Sequence, residues 1–165
     1  MPKQRNGWAR NVSRRISPLT TSHTIHVPKI INAPLKFVYD WCTDFREDDN
    51  KITRSKTRRI ILQKTKHRVV YVSAYRSSGR FRYGVSTVTL RPPNGWHLDH
   101  VGEEDDEIGD YRLTRLSSSK TKLAMTFRGK YKTRNAPTKR EDAKQTSEMW
   151  DKYVAALERD YAHRK

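Results

Sequence analysis

Apolar positions along the chain change period twice, and those changes divide it into elements. Thr24-Ile25-His26-Val27 alternates polar and apolar residues, the period of a half-buried strand. Pro28 confines that strand to an edge or a bulge, because proline has no N–H to give a ladder. Asn32-Ala33-Pro34 reads as a turn. Leu35, Val38, Trp41, Cys42 and Phe45 then fall at helical spacing, which predicts a helix with Pro34 as its first residue. A short second helix is predicted over Arg46–Ile52.

Six strand-like segments follow with no helix between them: Thr57–Lys64, His67–Arg76, Arg80–Arg91, Gly95–Val101, Glu107–Ser117 and Lys120–Lys132. The connections suit hairpins, among them Ser77-Ser78-Gly79, Pro92-Pro93-Asn94 and Ser118-Ser119. Lys120–Lys132 alternates most cleanly. Leu123, Met125, Phe127 and Tyr131 share one face, and Lys122, Thr126, Arg128, Lys130 and Lys132 the other, as in an antiparallel sheet with one wet side. In Arg80–Arg91 the phase slips from Phe81, Tyr83 and Val85 to Val88 and Leu90, which predicts a bulge near Ser86-Thr87. The chain closes with a predicted helix over Thr138–His163. Thr138 and Glu141 form a capping-box pair, and Thr146, Trp150, Tyr153, Val154, Leu157 and Tyr161 make one apolar stripe. Such a helix would span about 39 Å, enough to cross a sheet.

This order of elements resembles the START-like superfamily, whose members include pollen allergens, polyketide cyclases, lipid-transfer START domains and coenzyme Q-binding proteins. The local likeness is best at Ile30-Ile31-Asn32-Ala33-Pro34-Leu35-Lys36-Phe37-Val38-Tyr39 and on through Thr43-Asp44-Phe45, similar to that family's opening. It covers roughly residues 24–163. The resemblance implies an α+β helix-grip fold, β-α-α-β6-α. A curved antiparallel sheet of about seven strands would wrap around the long C-terminal helix.

The implied function is binding, transport or sensing of an apolar small molecule, such as a lipid, polyketide or isoprenoid-like compound, held between sheet and helix. The candidate cavity residues are Met125 and Phe127 from the last strand, Met149, Trp150, Tyr153 and Leu157 from the helix, and Tyr71, Tyr83 and Trp96 from the middle strands. Each could equally fill a core, since apolar stripes usually do. A cyclase- or dehydratase-like enzyme in the same cavity is an alternative, with Asp99, His97, Tyr111 and Tyr83 as its polar groups. No catalytic motif carries over, and no cofactor is implied.

Charge adds another alternative. The chain carries 35 Lys and Arg against 18 Asp and Glu, a formal net charge of +17. Residues 1–22 hold five bases and no acid and read as a flexible basic arm ahead of a domain over 23–165. Twelve more bases, again with no acid, lie between Lys51 and Leu98. Arg54, Lys56, Arg58, Arg59, Lys64, Lys66 and Arg68 fall on neighbouring strands and turns, where they could form a weak nucleic-acid or anionic-membrane surface. Tyr71, Tyr75, Phe81 and Tyr83 lie among these bases and could stack on nucleobases if exposed.

The remaining chemistry is thin. His97 and His100 sit three apart in a predicted strand, so they should face opposite sides and cannot share a metal. Cys42 reads as a small buried hydrophobe, and the acidic run Glu103–Glu107 as a solvated hairpin loop. A single cysteine forms no intramolecular disulfide, and with no secretory signal or bilayer-length apolar run it fits the cytoplasm.

Overall fold

The alternating segments assemble into one antiparallel sheet in the computed structural model, which describes residues 20–164. The elements are β1 (Thr21–Ile31), α1 (Leu35–Cys42), α2 (Asn50–Thr53), β2 (Arg58–Lys64), β3 (Arg68–Ser77), β4 (Arg80–Arg91), β5 (Gly95–Gly102), β6 (Asp105–Ser117), β7 (Lys120–Tyr131) and α3 (Lys139–Ala162). The strand order is β1-β7-β6-β5-β4-β3-β2. β2 to β7 follow one another as a meander, while α1 and α2 carry the chain from the β1 edge to the opposite β2 edge. Residues 1–19, most of the predicted basic arm, lie outside the described residues, and Thr21 and Ser22 already belong to β1.

β1 is an edge strand, which is what lets Pro28 sit opposite Ala124 without interrupting the register. Pro34 is the N-cap of α1 with an extended backbone, so the helix begins at Leu35, one position later than the sequence predicts. α2 is a single turn beginning at Asn50, so Arg46–Asp49 precede the helix rather than open it.

The predicted bulge at Ser86-Thr87 is absent: β4 pairs with β3 and β5 in unbroken register. Gly84, Ser86, Val88 and Leu90 all point inward, whereas Phe81, Tyr83 and Val85 point outward. The apparent slip of phase is an apolar patch on the solvent side. The irregularities fall elsewhere, between Ile61 and Gln63 in β2 and between Arg115 and Ser117 in β6. At the start of β5, Gly95 has a φ of +145°, and a Cβ there would lie 1.9 Å from the Tyr111 carbonyl oxygen, so only glycine fits this tight entry.

α3 starts with the predicted capping box, Thr138 and Glu141 exchanging both hydrogen bonds. It lies closest to β1, and a column of polar contacts holds the two together. His23 Nε2 lies 2.8 Å from Asp142, Lys29 donates to Ser147 and Asp151, and the Asn32 backbone and side-chain amides both donate to Glu158. Trp41 of α1 donates its indole N–H to Asp160 at 2.8 Å. Beneath this column the apolar core forms from Ile25, Val27 and Ile31 of β1, Leu123, Met125 and Phe127 of β7, Val38 of α1 and Leu157 of α3. Leu157 is 1% exposed. Leu157→Ala is expected to cost about 2–5 kcal/mol of unfolding free energy, read from urea denaturation, because the methyls it removes leave a cavity in a closed core.

Candidate functional site: a cavity between the sheet and the helices

Where α3 lifts away from the middle of the sheet, aromatic side chains bridge the gap without filling it. Trp96 of β5 stacks on Tyr111 of β6 at 4.6 Å between centroids, and Tyr111 meets Trp150 of α3 at 5.8 Å. Trp150 packs on Tyr153, and Tyr153 meets the edge of Trp41 from α1. These rings surround a cavity of about 240 Å³, closed further by Phe45, Tyr71, Val88 and Leu98. A cleft of about 190 Å³ between α2, β2 and α3 shares Arg59, Met149 and Tyr153 with it and forms a vestibule.

Arg59 and Asp49 guard that entrance. The Arg59 guanidinium pairs with the Asp49 carboxylate and lies over the Tyr71 ring at 4.7 Å and the Phe45 ring at 5.6 Å. An arginine held by both a carboxylate and two ring faces is a fixed wall rather than a free cation. Burial pushes the Cys42 thiol up from its ordinary range, as expected of a small hydrophobe in the cavity wall.

At the back of the cavity stands Glu107, which points inward from β6. Its carboxyl has no hydrogen bond or ion pair with any described residue. Burial, reinforced by Asp105 and Asp142 nearby, pushes its pKa up to about 7. Burial likewise raises Tyr153, and raises Tyr111 well above its ordinary value, so both hydroxyls are neutral.

Beyond Glu107 the inner sheet surface becomes polar. Ser86 Oγ lies 2.9 Å from His100 Nδ1, and Asp105 lies 3.9 Å from His100 Nε2. This has the composition of a nucleophilic triad but not its geometry: Ser86 is 2% exposed, and 3.9 Å is too long for the orienting hydrogen bond. Burial lowers the His100 pKa and favours the neutral ring. Gly84 makes room for it, since a Cβ there would lie 2.3 Å from the imidazole. His97 faces the other side, on Asp110 at 2.7 Å, so the two histidines diverge as their spacing requires. Among the described residues no group of three or more His, Cys, Asp or Glu could hold a metal ion.

Of the nine predicted cavity residues, Tyr71, Trp96, Met149, Trp150 and Tyr153 line the cavity. Met125, Phe127 and Leu157 face inward but lie in the solid core between β1, β7 and α3, away from the opening. Tyr83 is on the outer face, 52% exposed, because β4 keeps a straight alternation. Trp41, Phe45, Asp49, Val88, Leu98 and Glu107 line the cavity without having been singled out as its walls, and Tyr111, named only as a polar group for the enzyme alternative, lines it too. Glu107 was read within the acidic hairpin, but β6 begins at Asp105 and turns it inward.

The predicted basic surface divides as well. Arg59 belongs to the cavity mouth, and Lys64 is bound to Asp44. Arg54, Lys56, Arg58, Lys66 and Arg68 are exposed. The aromatic residues among them separate by face, Tyr71 and Tyr75 inward, Phe81 and Tyr83 outward.

No family model and no curated protein matches the chain by sequence. Solved structures match it by shape. The Zhui aromatase/cyclase from Streptomyces sp. R1128 superimposes with a TM-score of 0.64 at 15% identity, over 87% of this chain and 96% of that one. The allergen Ara h 8.0201 gives 0.63 at 13%, over 83% and 98%. A START superfamily protein from Mycobacterium smegmatis gives 0.60 at 15%, over 88% and 99%. The chain therefore has the START-like helix-grip fold. Among its described residues no helix is long and apolar enough to cross a membrane.

Glu107 gives the site a measurable pH signature. Its folded-state pKa of about 7 exceeds the ordinary value of 4.5, so the folded state holds a proton that the unfolded chain has released across that interval. Stability is expected to fall as pH rises through that window. Glu107→Gln should flatten this part of the urea-denaturation profile and be more stable than the native chain at pH 8. Parallel profiles for the two proteins would show that Glu107 is solvated.

Proposed function

We propose that the chain binds a compact apolar molecule in the cavity between β3–β6 and α3, and carries or senses it. The observation that supports this most directly is the pairing of an aromatic chamber with one uncompensated carboxyl. Packed cores close such gaps and do not leave a carboxyl in them without a partner. A guest would fill the space between the rings and present a hydrogen-bond donor to Glu107, which recovers the interaction lost on burial. The walls suit a planar ring system, since Trp96, Tyr111, Trp150 and Tyr153 offer both faces and edges. At about 240 Å³ the chamber lies below the ~300–1,000 Å³ usual for drug-sized ligands, so a larger guest would extend past Met149 into the vestibule. The shape neighbours named as an aromatase/cyclase and a START superfamily protein lend support to an apolar ligand in general.

Gently purified protein is expected to carry a co-purifying apolar molecule, released by solvent extraction and seen by mass spectrometry. Rebinding should show a negative heat-capacity change, the mark of apolar burial. Met149→Trp should block the vestibule and reduce rebinding at least tenfold with little loss of stability, because position 149 is 39% exposed and tolerates bulk. Protein that is repeatedly empty, and that binds no fluorescent aromatic or lipid analogue, would refute the reading.

A further inference from the structure

The outer face of the sheet carries a feature that the cavity does not explain. Register places Ile60 beside Val72, Val72 beside Val85, and Val85 beside Val101, so four aliphatic side chains form one row across β2, β3, β4 and β5. Ile60, Val85 and Val101 are 51%, 46% and 64% exposed. Tyr83 and Phe81 extend the row along β4, at 52% and 63%. The polar half of an antiparallel alternation belongs here, and apolar side chains stand in its place. Contiguous exposed apolar surface of this kind marks an interaction site.

Its border identifies the partner. Arg58, Arg68 and Arg76 share the same outward face, Lys66 lies in the β2–β3 hairpin, and Arg80 opens β4 beyond the β3–β4 hairpin. None of these five has a carboxylate within ion-pair distance among the described residues. Arg76 lies over the Phe81 ring at 5.5 Å. The acids nearest the β5 side have partners of their own: Asp99 lies 3.4 Å from His97, Asp106 pairs with Lys132 and Glu103 with Arg82.

We propose that this face of β2–β5 docks on an anionic lipid bilayer, the aliphatic row and Phe81 entering the headgroup–acyl boundary while the arginines meet lipid phosphates. Aliphatic and aromatic side chains rimmed by unpaired bases are the composition of interfacial membrane binding. A second copy of the chain would bring the same cations against these, which disfavours self-association. A nucleic acid would use the bases and rings but offers nothing to an isoleucine–valine row. The proposal does not depend on what the cavity holds.

The test is flotation of the full chain with phosphatidylcholine vesicles, with and without phosphatidylglycerol, near physiological salt. Binding is expected only to the anionic vesicles. Val85→Ser with Val101→Ser should weaken it about tenfold, from the apolar area removed. Arg58→Gln, Arg68→Gln and Arg76→Gln together should weaken it about a hundredfold. An environment-sensitive dye on Val101→Cys, made together with Cys42→Ala so that a single thiol is labelled, should shift to the blue when anionic vesicles are added. Melting temperature and cavity binding of each variant serve as folding controls. Three outcomes overturn the proposal. The first is vesicle binding unchanged by the serine pair, which leaves charge alone. The second is equally tight binding to single-stranded RNA that ignores the serine pair. The third is a dimer in light scattering that the serine pair dissolves.

Discussion

The placement of α3 against β1 is the constraint on which the rest of this structure depends. A straight helix can touch a curved sheet along only one line, and here that line is fixed at the sheet edge. His23 and Lys29 project inward from β1 and bind Asp142, Ser147 and Asp151, and Asn32, just past the end of that strand, donates to Glu158, all along one side of the helix. Each contact alone is worth little, particularly where Asp151 is 65% exposed. Together they set register and rotation. With the helix fixed there, its opposite flank, carrying Met149, Trp150 and Tyr153, must face a widening space over β3–β6. Large rings span part of that space, and the remainder is the cavity.

The same geometry accounts for the change from apolar to polar along the inner surface. Near α1 the sheet is covered by Val38, Leu157 and the aliphatics of β1 and β7 and is dry. Toward the N-terminus of α3 the cover thins, and Ser86, His100, Asp105 and Glu107 occupy positions that alternation alone would assign to the core. Ser86 and His100 satisfy each other, and Asp142 serves both His23 and Tyr131. Glu107 stands at the boundary between the two regions, close enough to the apolar end to be desolvated and too far from any donor to be satisfied. A carboxyl in that position costs stability when ionised, and a bound donor group is the natural way to offset that cost.

Most of the architecture was legible in the sequence because it is written in periods. Strand alternation in Lys120–Tyr131, the capping box at Thr138 and the apolar stripe through Leu157 all specify local structure with little help from tertiary context. The Ala33-Pro34 opening placed α1. What could not be read was which of two apolar sets faces inward when a strand carries both. β4 offers Phe81, Tyr83 and Val85 in one phase and Val88 and Leu90 in the other. A bulge reconciles them on paper; the structure instead leaves the first set in solvent. Inward direction also does not distinguish cavity from core. Met125 and Phe127 alternate correctly and end in solid packing, because the distance from α3 to each strand is a property of the whole fold. Glu107 was hidden for a related reason, as an acid in an acidic run reads as solvated until the strand start is known.

Both faces of β3, β4 and β5 thus depart from what an antiparallel layer over a core requires, and they depart in opposite senses. The inner face carries more polar groups than a core needs, with buried Ser86 hydrogen-bonded to the half-buried His100. The outer face carries more apolar groups than solvent favours, with Phe81 and Val101 more than half exposed. Sheet stability explains neither, since exchanging the two sets would bury the apolar surface and hydrate the polar groups at once. An arrangement that forgoes that stabilisation on both faces is the pattern expected where function, rather than folding, selects the side chains. On the proposed readings the inner departure receives a guest and the outer one a lipid surface. They share three strands, so the cavity wall and the docking face are opposite sides of a single layer of backbone. A bilayer that held the outer face would also fix the curvature of those strands, and with it the width of the chamber behind them.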